Sequence, residues 1–333
     1  GVYCFHGADD RVLYVGKATN LRQRVRSYVG GDDRRKVGTL LRETTRISHL
    51  TTPNVLVAEV LELRARQTWR PRYNKAGLSV DRYRYVQLDL GEAWPRLTVA
   101  TAPRPGTVTV GPLGSTAQAK LVIEAVQQAI PLRCCPGRLP ATITAVDRPP
   151  CTAARLGAAS CPCSGSTDAA TYAGLVQRAV VALTRSPEHV IEPLRVRMVE
   201  LAGSRRFEEA AGVRDRLHAF IGAARRQVLT TQLRAAGEAQ IGLDGATLHL
   251  HHGVLQAVSL TGELPLPLPL PVPEVPDLHL PLPREAVDEV LCIARHLERP
   301  AVAVGVTSLS PPRAVVLRLG RAARSRSAGT SRR

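Results

Sequence analysis

Tyr3, Tyr14, Lys17, Arg22, Arg24, Arg26 and Tyr28 all fall within the first 28 residues. A phenol titrates at about 10 and acts as a base only where nearby cations favour the phenolate. Lysine and arginine do this and also hold phosphate oxygens, so the combination suits hydrolysis of a phosphodiester by a deprotonated water. The same residues also fit two strand tyrosines packing a sheet beside a solvated basic helix. Farther along, Glu59, Glu62, Arg66 and Arg70 recur at helical spacing. They form either a solvated Glu–Arg face of i,i+4 pairs or a face on which one carboxylate holds a divalent cation against a phosphate. Periodicity alone does not choose between these readings.

The elements that must position these residues are short and well punctuated. Residues 1–6 and 11–16 alternate across the turn signal Gly7-Ala8-Asp9-Asp10, which predicts a β-hairpin. Closure around Ala8-Asp9 would set Tyr3 opposite Tyr14 on one face. Asn20 caps a helix to about Tyr28, and Asp32-Asp33 opens another to about Thr44. A strand follows at 46–51. Asn54 caps a helix to about Trp69, stopped by Pro71. Strands near 83–88, 96–100 and 107–110 precede a helix at 115–129.

The rest of the chain changes character. Residues 134–166 are rich in Cys, Pro and Gly and weakly periodic, and residues 168–231 read as helical. Residues 240–261 read as a hairpin around His252-Gly253. Leu264–Pro283 nearly alternates Leu and Pro, which excludes helix and central strand and predicts an extended linker. Residues 318–333 are Arg/Ser-rich and expected to be a disordered basic tail. The fold class expected is α+β: an antiparallel sheet flanked by helices over 1–80, a connecting α/β segment over 81–133, the Cys-containing segment, a helical region, and a poorly ordered C-terminal region over 240–317.

The formal net charge of +17 makes nucleic acid the default partner. The preference for Arg over Lys (only Lys17, Lys36, Lys75 and Lys120) fits a GC-rich genome, which does not account for the excess of base over acid. Six of the seven tyrosines precede residue 86, so phenols are concentrated where the chemistry is expected. No stretch is apolar enough to span a membrane and no signal peptide opens the chain, so a cytoplasmic location is expected. In that compartment the clustering of Cys134, Cys135, Cys151, Cys161 and Cys163 favours metal over disulfides. The chain opens on Gly within a strand, so a fragment of a longer polypeptide is expected. The histidines, His249, His251 and His252 among them, are read as strand and turn residues.

Gly1-Val2-Tyr3 and then Tyr14-Val15-Gly16-Lys17-Ala18-Thr19-Asn20-Leu21-Arg22-Gln23-Arg24-Val25-Arg26-Ser27-Tyr28 resemble the GIY-YIG nuclease signature in its UvrC form. Glu62, with Asn74 twelve residues later in Arg70-Pro71-Arg72-Tyr73-Asn74, resembles the catalytic Glu and closing Asn of that family. The resemblance continues through Pro95-Arg96-Leu97, Gly111-Pro112-Leu113-Gly114-Ser115 and Pro131-Leu132-Arg133. Phe207-Glu208-Glu209-Ala210-Ala211 with Arg214-Asp215 resembles the UVR motif, a helical hairpin (here 191–225) that in UvrC binds UvrB.

The resemblance implies a metal-dependent DNA endonuclease, nicking one strand in nucleotide excision repair, on the 3′ side if UvrC is the guide. Tyr14 and Tyr3 become the candidate bases, with Lys17 assisting the phenol and Arg24 steadying the phosphate. Tyr28 would line the site, Glu62 bind Mg²⁺ or Mn²⁺, and Asn74 order the site. Arg22, Arg26 and Arg72 become DNA contacts; Phe207, Glu208, Glu209, Arg214 and Asp215 become contacts to UvrB. Cys135, Cys151 and Cys163 fall where UvrC-type proteins hold an iron–sulfur cluster; Ala159 occupies the fourth position, with Cys161 two residues on. Cluster, zinc and a degenerate site stay open. The short C-terminal third departs from UvrC. It is closer to Cho, or to the UvrC-like half of an exonuclease/endonuclease fusion. The alternative to an enzyme is a DNA- and UvrB-binding adaptor with an inactive nuclease site.

Overall fold

The computed structural model describes residues 1–30, 35–74, 83–143, 149–275, 282–297 and 306–308. Strands β1 (Val2–His6), β2 (Val12–Lys17) and β3 (Arg46–Leu50) form an antiparallel sheet in the order β2-β1-β3. The central strand β1 is buried on both faces. Tyr3 and Phe5 point into an aromatic core with Leu13, Tyr28, Val37, Leu40 and Tyr73, while Val2 and Cys4 face Leu56, Val57 and Val60.

Helix α1 (Leu21–Val29) starts where Asn20 accepts a hydrogen bond from the Gln23 amide at 2.9 Å. Helix α3 (Val55–Trp69) starts likewise, with Asn54 accepting from the Val57 amide at 3.0 Å. Both caps match expectation. Helix α2 spans Arg35–Glu43; its expected opening at Asp32-Asp33 lies outside the described residues.

The second sheet runs β5-β4-β6, from β4 (Arg84–Asp89), β5 (Leu97–Ala100) and β6 (Thr107–Leu113), and is covered by α4 (Thr116–Ala129). Its core is continuous with three long helices, α6 (Ala169–Thr184), α7 (Glu188–Gly203) and α8 (Phe207–Ala235), after the single-turn α5 (Thr152–Arg155). Helix α8 is 29 residues, or about 43 Å, long. Ala210 to Ala223 belong to this second core, whereas Leu229 and Leu233 belong to the core beneath α3. One helix thereby ties the two cores together.

Within the C-terminal region expected over 240–317, where the sequence predicts a hairpin at 240–261, the described residues carry a sheet and a helix. Strands β7 (Glu238–Leu243), β8 (Ala246–His251) and β9 (Val254–Leu260) form a meander, extended by β10 (Leu266–Pro267) on one edge and β11 (Val306–Ser308) on the other. Both turns are Xaa-Gly pairs with positive φ: Asp244 (50°) and Gly245 (75°), then His252 (48°) and Gly253 (82°). The first turn divides what reads as a single hairpin into three strands. The described part of the Leu-Pro tract, 264–275 with 282–283, packs on the sheet rather than running free. Its prolines confine it to the sheet edge, and Leu268, Leu270, Val275 and Leu282 pack on the core.

Helix α9 (Arg284–Leu297) packs this C-terminal unit against α3, with Val290, Ile293 and Leu297 joining one core with Val57, Val60 and Leu61. Arg64 of α3 and Glu289 of α9, 1% and 0% exposed at the side chain, pair through two bonds of 2.8 and 2.7 Å. Glu289 also accepts from the Leu255 amide at 2.7 Å. Such extra bonds offset part of the cost of desolvating the pair, while Arg64 Nη1 stays buried with no partner among the described residues. The expected basic tail, 318–333, lies outside the described residues.

Candidate nuclease site

Strand register places the first two tyrosines. Tyr3 pairs with Gly16 and Phe5 with Tyr14, not Tyr3 with Tyr14, because the loop closes from Gly7 to Arg11 and a bulge follows Phe5. Side chains two residues apart still share a face, so Tyr3 and Tyr14 remain neighbours, their ring centroids 6.2 Å apart. Gly16 is required there. A Cβ on it would lie 2.4 Å from the Tyr3 hydroxyl and 3.0 Å from the Tyr14 ring.

Tyr28 on α1 completes the cluster. Its hydroxyl is 2.9 Å from that of Tyr3, and its ring is 6.1 Å from that of Tyr14. Arg24, one turn earlier, donates to Tyr3 at 3.3 Å and to Tyr28 at 3.4 Å, and its guanidinium lies 5.0 Å from the Tyr28 ring centre. Tyr3 is 1% exposed and Tyr28 is buried, whereas Tyr14 lies half-buried at the rim. Burial pushes the Tyr14 phenol up to about 12, helped by the Tyr28 hydroxyl and the charge of Glu62, while Arg24 pulls the other way. Tyr3 is also raised, by burial first.

Lys17 sits elsewhere than expected. Its ammonium binds Glu62 at 3.0 Å and Glu59 at 3.3 Å, one helical turn apart on α3. Burial works against its charge, but the two carboxylates outweigh it and raise its pKa. The nearest cation to the phenols is thus Arg24. Glu62 and Lys17 open into a cavity of about 530 Å³, also lined by Arg66, Tyr83, Arg226, Asp288, Cys292 and Arg295.

Asn74 does not face the cavity. Its carboxamide accepts from the Val15 amide and donates to the Val15 carbonyl, both at 2.8 Å, and so fixes β2 between Tyr14 and Gly16. Arg22 and Arg26 are exposed on α1. Arg72, also exposed, contacts Glu43 at 3.3 Å and the Tyr73 ring at 5.5 Å.

The cysteines gather beyond the second sheet. Arg133, 1% exposed, fastens the segment by donating to Trp94 O at 2.6 Å, Cys135 O at 3.0 Å and Gly137 O at 2.7 Å, and by pairing with Glu92 at 3.0 Å. The Cys161 and Cys163 sulfurs are 3.1 Å apart. Burial opposes ionisation of Cys161, but hydrogen bonds from Ser164 and from the Cys151 backbone outweigh it and lower it to about 7. Cys163 is pushed up to about 12 by burial and by Cys161, with Cys135 also acting on it. Cys151 lies against Cys134. Among the described residues no three of these sulfurs come within 4.8 Å of one another. A tetrahedral zinc site with bonds of about 2.3 Å would need that closeness.

The helical hairpin is α7 and α8. Phe207 is 65% exposed at the start of α8, beside the Arg206–Glu209 pair at 2.5 Å, and Arg214 pairs with Asp215 at 2.9 Å. Val196 and Val199 on α7 are also exposed.

One group on α9 carries no mark in the sequence reading. Cys292 and His296, four residues apart, approach Glu59. The Cys-x-x-x-His spacing was the available signal, legible only once residues 284–297 are known to be helical. Among the described residues no helix is long and apolar enough to cross a membrane.

Residues 1–75 match the UvrC-like GIY-YIG domain, and residues 83–182 match the middle domain of the UvrC/Cho excinuclease family. UvrABC system protein C of Geobacter metallireducens is 33% identical over 253 residues, 75% of this chain and 41% of that protein. The same-named protein of Desulforudis audaxviator is 34% identical, over 70% of this chain and 36% of that protein. A Mycobacterium tuberculosis protein, whose name describes a bifunctional exonuclease/endonuclease, is 34% identical over 92% of this chain and 49% of its own length. That last match reaches into the C-terminal sheet and helix. The chain spans about half or less of each of these relatives. These two domain matches, with relatives at least 33% identical over 70–92% of this chain, show that the chain belongs to the UvrC-type GIY-YIG family.

Proposed function

We propose that this chain is a metal-dependent DNA endonuclease unit that hydrolyses one phosphodiester bond in one strand, as the incision step of nucleotide excision repair. The observation that carries the reading is the convergence of three phenols, Arg24 and the Glu62 charge on one rim, where Tyr14 alone of the phenols is half-open. Tyr14 is the base that takes a proton from the attacking water, and Tyr3 and Tyr28 hold its ring and Arg24 in place. Arg24 neutralises the scissile phosphate. Arg22, Arg26 and Arg72 add exposed positive charge along the flanking DNA.

Glu62 would hold Mg²⁺ or Mn²⁺. Such ions keep most of their waters and take one or two carboxylates, so Glu62, opening with Glu59 and Asp288 into a roomy cavity, fits them. When bound, the ion supplies charge neutralisation at the phosphate. The resting Lys17–Glu62 pair must loosen to admit it, which leaves Lys17 free to contact substrate. Glu62→Gln is expected to abolish Mg²⁺- or Mn²⁺-dependent nicking while leaving DNA affinity largely intact; full nicking by this variant would sink the assignment.

The exposed Phe207, with Glu208 and Glu209 in the first turn of α8 and Arg214-Asp215 beyond, supports docking of UvrB on the α7–α8 hairpin. The cysteine segment supports an iron–sulfur cluster, whose ligands are spread more widely than those of zinc, with Cys135, Cys151, Cys161 and Cys163 as ligands. The reach of the exonuclease/endonuclease match over 92% of the chain favours the nuclease half of such a fusion as the parent protein. A non-catalytic, DNA- and UvrB-binding adaptor is the second reading. It is favoured by the raised Tyr14 and the carboxylate-bound Lys17. Tight DNA binding with no nicking in either metal would select it.

A further inference from the structure

We propose that Glu59, Cys292 and His296 form a zinc site, separate from Glu62, that joins the C-terminal unit to the nuclease helix. Cys292 and His296 lie four residues apart on α9 and so share one face, 5% and 4% exposed. That face meets α3 at Glu59, whose side chain is 20% exposed. The Cys292 sulfur is 3.4 Å from Glu59 Oε2, and His296 Nδ1 is 3.5 Å from the same oxygen. All three donor atoms lie within 4.8 Å of one another. Zinc bonds of about 2.0–2.3 Å in a tetrahedron set ligand atoms about 3.3–3.8 Å apart, and both of these separations fall in that range.

The donor set selects the ion. A thiolate and an imidazole favour zinc over Mg²⁺, which takes oxygen ligands. Glu59 and a thiolate carry two negative charges, so Zn²⁺ makes the half-buried cluster neutral, where an unpaired charge would be costly. On binding, the Cys292 thiol loses its proton to solvent and the zinc–sulfur bond replaces the S–H bond. Glu59 and Cys292 both line the 530 Å³ cavity, which gives the ion an entry path and leaves its fourth position to water.

The two oxygens of Glu59 divide their work. Oε2 faces Cys292 and His296, while Oε1 holds Lys17 at 3.3 Å. A zinc ion on Oε2 withdraws charge from the carboxylate and weakens its hold on Lys17. The site thereby links seating of the C-terminal unit to the availability of a nuclease-site cation.

The test uses the full chain, stripped of metal and titrated with ZnCl₂ or CoCl₂ alone. Wild-type protein is expected to bind one more equivalent of zinc than Cys292→Ser, and its cobalt form to lose one thiolate charge-transfer component in that variant. Zinc is expected to raise the melting temperature of wild type more than that of Cys292→Ser or Glu59→Gln. Because the cysteines at 134–163 can also take metal, cadmium NMR of wild-type protein supplies a readout that needs no variant. A resonance from a mixed site with a single sulfur supports the proposal, and only multi-sulfur resonances, or none, overturn it. Equal zinc content and equal cobalt spectra in folded wild type and Cys292→Ser also overturn it.

Discussion

Tyr3, Tyr14 and Tyr28 stand on two paired strands and a capped helix, whereas Cys135, Cys151, Cys161 and Cys163 stand in coil, at the starts of one-turn helices, and around Gly157 and Gly165. The phenols are locked by each other, by Arg24 and by the absence of a side chain at Gly16. The cysteines are fastened through backbone, chiefly by Arg133 reaching the carbonyls of Cys135 and Gly137. The first region is organised before any ligand arrives. The second has its backbone set but its sulfurs gathered only in pairs, Cys163 against Cys161 and Cys135, and Cys151 against Cys134, with no three of them mutually close among the described residues. Preorganised groups lower the cost of a transition state, while a set of thiols that a metal must draw together converts binding energy into local order.

The largest test of that contrast is at Tyr14. Tyr14→Phe removes a hydroxyl from a site held by other bonds, so folding and DNA affinity are expected to be unchanged while nicking slows by about 10²–10⁴-fold. The pH profile carries the sign. A base is active when deprotonated, and the Tyr14 phenol stands at about 12 in the protein alone. Wild-type nicking should therefore climb as pH rises through the neutral range, and the variant should lose that climb. An unchanged rate would move the base to Tyr3.

A smaller effect is expected at Asn74, which holds Val15 through both its amide and its carbonyl and does not line the Glu62 cavity. Asn74→Ala leaves a buried amide and a buried carbonyl without partners, at about 1–3 kcal/mol. Because β2 then loosens between Tyr14 and Gly16, kcat should fall more than DNA affinity. A variant that loses stability yet nicks at the full rate would show that Asn74 only supports the fold.

The same contrast explains what was legible in the sequence. The tyrosine site lies on short-range elements, each with its own local signal: Asn20 and Asn54 as caps, the Gly7–Asp10 turn, and Pro71 as a stop. Its composition is therefore readable while its register is not, since a bulge after Phe5 leaves no mark in composition. Lys17 is near the phenols in sequence, but α3 supplies two carboxylates that claim it. The C-terminal unit is less legible for a related reason. Its order comes from distant contacts, such as Arg64 with Glu289 and α9 on α3, while its visible signals are prolines. Asp244-Gly245 is the local hairpin signal in this unit, and both residues take the positive φ that such a turn needs.

The smallest expected effect sharpens the other side of the comparison. Cys161 is 1% exposed, its sulfur touches that of Cys163, and its acidity is shaped by Ser164 and the Cys151 backbone. If the thiols are uncommitted without metal, Cys161→Ser should cost only about 1 kcal/mol in stripped protein, an ordinary single-site loss. In protein reconstituted anaerobically with iron and sulfide, the same substitution should cost more, because stabilisation by a bound group grows with its affinity and is lost with a ligand. Nicking by the stripped variant should match that of stripped wild type, since among the described residues the side-chain bonds to Cys161 come from Cys163, Ser164 and Ser166, not from the tyrosine rim. The measurement is the denaturant midpoint of both proteins, stripped and reconstituted, with visible absorbance as the check on cluster content. If wild-type protein gains neither colour nor stability on reconstitution, the segment does not assemble a cluster and Arg133 alone accounts for its order. If Cys161→Ser already unfolds the stripped protein, the sulfur is a packing element and the contrast with the tyrosine site falls.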